Sequence, residues 1–128
     1  MGRVTNTACP CGSGQVHADC CGRFHAGAAQ APTAEALMRS RYSAFALGDS
    51  AYLLATWHPD TRPAVLDLDE ALTWTGLEIL ATTQGGVFDN TGTVEFTARY
   101  SSRGRSGVQR ELSRFVRDDG RWLYVEPA

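Results

Sequence analysis

Two hydrophobic periods divide most of the chain. Between Thr33 and Gly48 the apolar residues Leu37, Met38, Tyr42 and Phe45 recur at helical spacing, which predicts an amphipathic helix with one stripe on a core. Thr33, directly after Pro32, is a natural N-cap; Glu35 complements the dipole of the first turn, and Gly48 ends the run. Asp49 or Ser50 can cap a second helix that groups Tyr52, Leu53 and Trp57 on one face and stops before Pro59. Residues 64–72 fit two patterns: Val65, Leu66, Leu68 and Leu72 suit a short helix, while Leu66-Asp67-Leu68-Asp69 alternates. The expectation there is a helix.

From Thr73 the period becomes two. Trp74 to Thr83 reads as a strand, Gly85-Gly86 and Asp89 to Gly92 punctuate, and Thr93 to Ser101 alternates with Val94, Phe96, Ala98 and Tyr100 on one side. Arg103 to Gly107 is expected to be a flexible loop, and Val108 to Arg117 with Arg121 to Glu126 a hairpin closed at Asp119-Gly120. Helices followed by a strand meander predict an α+β domain, its helices covering one face of a curved antiparallel sheet.

Residues 1–26 follow neither period. They hold few long aliphatics, so they need a staple to fold. All four cysteines of the chain lie here, at Cys9, Cys11, Cys20 and Cys21, with Gly12-Ser13-Gly14 between the pairs. Four thiolates this close in sequence can wrap one tetrahedral Zn²⁺ with little loop-closure entropy. Neighbouring side chains such as those of Cys20 and Cys21 tend to diverge, so His25 first, and His17 after it, are reserve ligands. Four protein ligands leave no open position, which predicts a structural rather than a catalytic ion. Ala26 to Pro32 reads as a linker, dividing a metal-binding unit (1–27) from the α+β domain (28–128).

Composition narrows the setting. Met1 to Asn6 lack the apolar stretch of a signal peptide, Asn6 stands where a myristoylation signal needs Ser or Thr, and no segment approaches the ~20 apolar residues of a membrane span. A cytoplasmic protein without a membrane partner is expected, and in a reducing compartment clustered cysteines read as metal ligands before disulfides. The net charge of −2 makes no overall case for nucleic acid, yet Arg99, Arg103, Arg105, Arg110, Arg114 and Arg117 face only Glu111, a local excess of +5. That stretch reads as a charged sheet edge, with RNA contact as the weaker alternative.

Cys9-Pro10-Cys11-Gly12-Ser13-Gly14 followed by Cys20-Cys21-Gly22 resembles the SEC-C motif, the small zinc-binding module found at the C-terminus of the SecA translocation motor. Arg23-Phe24-His25-Ala26-Gly27, the Leu37 to Phe45 helix, Thr56-Trp57-His58-Pro59 and Ser113 to Arg117 extend the resemblance to the YchJ-type, UPF0225 family over nearly the whole chain. The resemblance implies a SEC-C knuckle fused to an NTF2-like cone, in a family without an established biochemical activity, and a dimer formed through the sheets is an expectation from it. His17 stands where the SEC-C pattern usually has an aromatic residue, and Gln15, Val16, Ala18 and Asp19 where it has lysines. The basic surface of the translocation motor's module is therefore nearly absent.

Three further sites follow from residue types. Arg41 lies on the stripe of Leu37 and Phe45, and a buried guanidinium needs a partner; Glu78, Glu95 or Glu111 on the sheet is expected, with an anionic ligand as the alternative, joined by Arg39 and Arg114. Tyr42 and Trp57, together with the strand aromatics Trp74, Tyr100, Trp122 and Tyr124, belong to the core or line the mouth of a pocket. His58 and Asp60 are the weak candidates for an acid/base pair, since no nucleophile elbow or phosphate loop is present. The leading functional expectation is a non-enzymatic adaptor with a structural zinc and a protein partner, ribosome- and chaperone-linked partners being candidates. The alternative is a cone that binds or transforms a small molecule.

Overall fold

The structure, a computed structural model, describes residues 7–128. Residues 1–6, on which the expectations about a signal peptide and a lipid anchor rest, lie outside the described residues. After a 3₁₀ turn at His17–Asp19 come helices α1 (Cys21–His25), α2 (Ala34–Leu47) and α3 (Ser50–Ala55), then strands β1 (Leu72–Gln84), β2 (Thr91–Ser102), β3 (Arg105–Asp118) and β4 (Arg121–Pro127). The four strands form one antiparallel sheet in the order β1-β2-β3-β4.

The caps form as expected. Thr33 Oγ1 accepts from the amide of Ala36 at 3.0 Å, and Asp49 Oδ1 from that of Tyr52 at 3.1 Å. Gly48 closes α2 in the left-handed conformation, φ 74°. Helix α2 then lays Ala34, Leu37, Met38 and Tyr42 on Val94, Phe96 and Ala98 of β2, Phe115 of β3 and Trp122 of β4. Register shifts in β1 between Trp74 and Gly76, and between Ile79 and Ala81, mark bulges. Such bulges bend a strand and raise its twist, curving the sheet around α2.

Two expectations are corrected. Residues 64–71 form no helix: Leu66 and Leu68 are half-buried while Val65, Asp67 and Asp69 are exposed, so the alternating pattern prevails, and the Ala71 amide closes a turn on Asp69 Oδ1. Arg103 to Gly107 is no loop. Arg103 and Gly104 alone turn the chain, at φ 54° and 81°, and pairing resumes at Ser102 with Arg105. Two successive positive φ values are those of a two-residue hairpin turn, the same geometry that Asp119 and Gly120 adopt.

The linker is anchored: Ala28 and Ala29 amides donate to Arg23 O, and Trp122 Nε1 donates to Pro32 O at 3.2 Å. No helix among the described residues is long and apolar enough to cross a membrane.

Candidate metal centre and the cone cavity

Thr7 to His17 folds back on itself, with Cys9 N donating to Gln15 O at 2.9 Å and His17 N to Thr7 O at 2.8 Å. The 3₁₀ turn then delivers Cys20, whose φ −119° and ψ −115° fall outside both the helical and the extended wells. That kink is what lets two adjacent cysteines serve one centre: their sulfurs lie 4.0 Å apart instead of diverging. Gly22 is required beside it, since a Cβ there would stand 2.6 Å from His17 O.

The four sulfurs all lie within 4.8 Å of one another, with Cys11 and Cys20 at 3.6 Å. A tetrahedral Zn²⁺ with bonds of about 2.3 Å has sulfur–sulfur edges of about 3.8 Å, so the donors fit that ion. A disulfide would need about 2.05 Å, and all four thiols are free. Cys9, Cys11 and Cys21 are buried, Cys20 is half-buried, and Leu77 of β1 packs against the cluster.

Polar groups from two regions surround the sulfurs. Ser13 Oγ lies 3.1 Å from Cys20 Sγ, Ser43 Oγ of α2 lies 3.5 Å from Cys9 Sγ, and Arg39 Nη1 donates to Cys11 O at 3.0 Å. A hydrogen bond from Cys21 lowers the Cys11 thiol against the opposing effect of burial, with Ser13 assisting. Cys21 is pushed up by that same bond and by burial, and Cys20 is raised chiefly by burial. Zinc held by Cys9, Cys11, Cys20 and Cys21 would supply a cross-link, with no coordination position left for a reactant.

The two histidines face each other. His17 Nε2 and His25 Nδ1 are 3.2 Å apart, and His25 Nε2 lies 2.8 Å from Ser40 O. A carbonyl only accepts, so His25 Nε2 donates, its Nδ1 accepts, and His17 Nε2 is the donor between the rings. Burial, reinforced by the neighbouring His25, lowers the pKa of His17. Both rings thus tie the knuckle to α2.

A cavity of about 180 Å³ opens between α2 and the sheet, lined by Arg41, Tyr42 and Phe45 of α2, by Trp57, and by strand residues that include Trp74, Glu111 and Tyr124. Arg41 is 3% exposed. No expected carboxylate makes a contact ion pair with it: none of the ion pairs among the described residues includes it, Glu95 is taken by Arg110, Glu78 is exposed, and Glu111 shares the cavity and attracts it without direct contact. Instead Nη1 donates to Leu53 O and Thr56 Oγ1, both at 2.8 Å, and the guanidinium sits over the rings of Trp57 (5.1 Å) and Tyr124 (4.7 Å). Burial lowers its pKa to about 10, which leaves it a cation at neutral pH.

Trp57 reaches this wall because the chain from Thr56 to His58 runs beside β4, Tyr124 N donating to Thr56 O and His58 N to Tyr124 O, each at 2.8 Å. His58 and Asp60 do not line the cavity; His58 Nδ1 accepts from the Asp60 amide and lies 3.8 Å from the Asp60 carboxylate, which is exposed. Arg114 stands on the opposite face of the sheet from Ser113 and Phe115, paired with Glu126 at 2.5 Å. Of the other arginines, Arg110 pairs with Glu95, and Arg117 donates to Val87 O and covers Trp122. Two glutamates from outside the basic stretch thus offset part of its charge. Tyr100 stacks on Trp74, and Trp122 belongs to the core.

The sequence reading missed Glu111 as a cavity residue and Ser43 and Arg39 as supports of the sulfurs. For Glu111 a signal existed: on β3 the side that ends in buried Phe115 carries Gln109, Glu111 and Ser113, three polar residues in inward register.

The comparisons with known proteins agree with this architecture. Residues 33–127 match the family model described as YchJ, middle NTF2-like domain, and residues 6–23 match the SEC-C motif. A UPF0225 protein of Streptomyces coelicolor is 60% identical over 118 residues, covering 92% of each chain. One from Bordetella parapertussis is 55% identical over 122 residues, 93% of this chain and 90% of that one. Among solved structures, a SEC-C motif containing protein from Rhodopseudomonas palustris superposes with a TM-score of 0.82 at 38% identity, covering 94% of this chain and 96% of that one. Another from Psychrobacter arcticus gives 0.81 at 29% identity, covering 98% and 84%. The chain belongs to the UPF0225 family, a SEC-C motif joined to a YchJ-type NTF2-like domain.

Proposed function

We propose that this protein is a zinc-stapled, non-enzymatic interaction module of the cytoplasm, its knuckle held by one structural Zn²⁺ on Cys9, Cys11, Cys20 and Cys21. The observation that carries the reading is the closed set of four sulfurs within 4.8 Å, three of them buried. A site filled by its own chain offers rigidity rather than reactivity. A surface for a protein partner is supported by the turn between β1 and β2, where Phe88 is 93% exposed beside the half-exposed Val87. Large apolar side chains left in water at a loop tip suit docking.

Elemental analysis of protein purified without added metal, paired with thiol titration, tests the staple. One zinc per chain, with four thiols protected until a chelator is added, is the expected result; metal-free protein with freely reacting thiols overturns it. A photo-crosslinking residue placed at position 88 tests the docking. A discrete adduct is expected in cells, and a smear identical to that from an exposed position such as Val65 counts against it.

A second reading is favoured by Arg41: a buried cation without an ion pair, on the wall of a cavity, suits the binding of a small molecule in the cone.

A further inference from the structure

Three residues that line the cavity carry polar groups with unused hydrogen-bonding capacity. Trp57 Nε1 is buried and has no hydrogen-bond partner. Arg41 uses only Nη1, so its Nε and Nη2 donors make no hydrogen bond among the described residues. Glu111 receives Ser113 Oγ and Tyr124 OH on the same oxygen, Oε2, which leaves Oε1 unengaged. All three residues line the cavity between α2 and the sheet. Of these, Trp57 Nε1 alone is fully buried, so it bears the full cost of leaving water without a partner; the unengaged atoms of Arg41 and Glu111 still reach water and are open to a ligand. The demand is specific: two donors, one of them cationic, and one anionic acceptor.

Charge selects among ligands. Arg41 and Glu111 are opposite charges that share the cavity without forming an ion pair. A simple anion would satisfy Arg41 and meet repulsion from Glu111; a simple cation would meet the reverse. A molecule with both charges satisfies both groups and leaves the net charge of the cavity unchanged. The remaining wall, Met38, Phe45, Trp74, Phe96 and Ala98, is apolar or aromatic. The size also bounds the ligand. At about 180 Å³ the cavity is comparable to the engineered one of about 150 Å³ that accepts benzene.

We infer that the cone cavity receives a small zwitterion with an apolar body, of the α-amino acid class, its carboxylate on Arg41 and Trp57 Nε1 and its ammonium on Glu111. This rests on the second reading above, and it names the ligand chemistry of that site.

The test is calorimetric titration of the full chain, with tryptophan fluorescence as a parallel readout because Trp57 and Trp74 both line the cavity. Three probes share one branched skeleton: L-leucine carries both charges, isocaproate only the carboxylate, isoamylamine only the ammonium. Leucine is expected to bind and each single-headed probe to bind about tenfold more weakly or worse. Glu111→Gln should weaken leucine about tenfold and, by removing the repulsion, tighten isocaproate. Trp57→Phe keeps the ring that covers Arg41 while removing the N–H, and should weaken leucine and isocaproate but not isoamylamine. Equal binding of leucine and isocaproate overturns the zwitterion and leaves the cavity a carboxylate site. If none of the three probes titrates at millimolar concentration, the inference falls, and small-molecule binding in the cone falls with it.

Discussion

Within residues 7–27 the buried apolar side chains are Cys9, Cys11, Cys21 and Phe24; within residues 33–127 one cluster joins Ala34, Leu37, Met38, Tyr42, Val94, Phe96, Ala98, Phe115 and Trp122. The cone holds itself by burial, which at about 25 cal/mol per Å² of apolar surface is ample for such a cluster. The knuckle has almost nothing of that kind to bury, and its fold depends on whatever holds four sulfurs together. The two are nevertheless not separate bodies. Arg39 reaches Cys11 O, Ser43 reaches Cys9 Sγ, His25 reaches Ser40 O, and Leu77 packs on the cysteines. If the proposed zinc holds the knuckle, a metal-dependent fold docked on a metal-independent one should fail in stages, and the stages are measurable.

The largest effect is expected from Cys11→Ser, at the fully buried corner of the cluster. Structural zinc in small fingers supplies an apparent ~10–16 kcal/mol near neutral pH, so loss of one ligand should abolish stoichiometric zinc and collapse the backbone resonances of residues 7–25 toward random-coil shifts. The amides of β2 and β3 should keep their hydrogen-exchange protection. Simultaneous loss of both sets would show that the cone cannot stand without the staple.

Phe115→Ala makes the converse cut. Phe115 is 1% exposed and sits in the cone cluster, where removing a phenyl ring costs about 3–5 kcal/mol. Urea unfolding followed by tryptophan fluorescence should shift by that amount, with zinc still bound one per chain before the transition. Zinc released well ahead of the cone would mean that the docking contacts, and not the sulfurs alone, keep the knuckle closed.

Arg39 tests that docking directly. Its guanidinium bridges Glu35 at 3.1 Å and Cys11 O at 3.0 Å across the boundary between the two regions. A partly exposed donor of this kind contributes about 1 kcal/mol. Arg39→Ala should therefore speed zinc transfer to a chromophoric chelator about fivefold, the rate equivalent of that energy, and leave the urea midpoint of the cone nearly unchanged. An unaltered transfer rate would reduce the contact to a surface coincidence.

Legibility from sequence also differs between the regions, and for physical reasons. Helix α2 was readable because its signals are local: Thr33 and Gly48 lie at its own ends, and its apolar stripe of Leu37, Met38, Tyr42 and Phe45 lies between them. The cysteines were readable as a set because their chemistry requires proximity. How Cys20 and Cys21 both join it was not, since that depends on one unusual backbone conformation at Cys20. The surroundings of Arg41 were unreadable for a different reason. A guanidinium can take carbonyls, hydroxyls and ring faces as partners, and here Leu53, Thr56 and Trp57 come from the next helix and its end and Tyr124 from the last strand. The turn at Arg103-Gly104 escaped because arginine carries no preference for positive φ. Residues 64–71 escaped because a short apolar run fits either period until its solvent side is known.

The smallest expected effect lies on the outer face of the sheet, where Arg110 and Glu95 form a cross-strand pair at 2.5 Å. Arg110 is 64% exposed, so water and salt screen the attraction, and ordering a long side chain opposes it. A double-mutant cycle with Glu95→Ala and Arg110→Ala should give a coupling of about 0.5 kcal/mol or less in urea unfolding. Neither single change should alter zinc stoichiometry, because both residues stand apart from the groups that line or contact the sulfur cluster. A coupling of several kcal/mol would mean that this face is shielded from water, as it would be between two sheets packed together, and sedimentation of the same variants would then show a dimer dissociating. A small coupling leaves the outer face as solvated charge, with stability divided between the sulfurs of the knuckle and the apolar cluster of the cone.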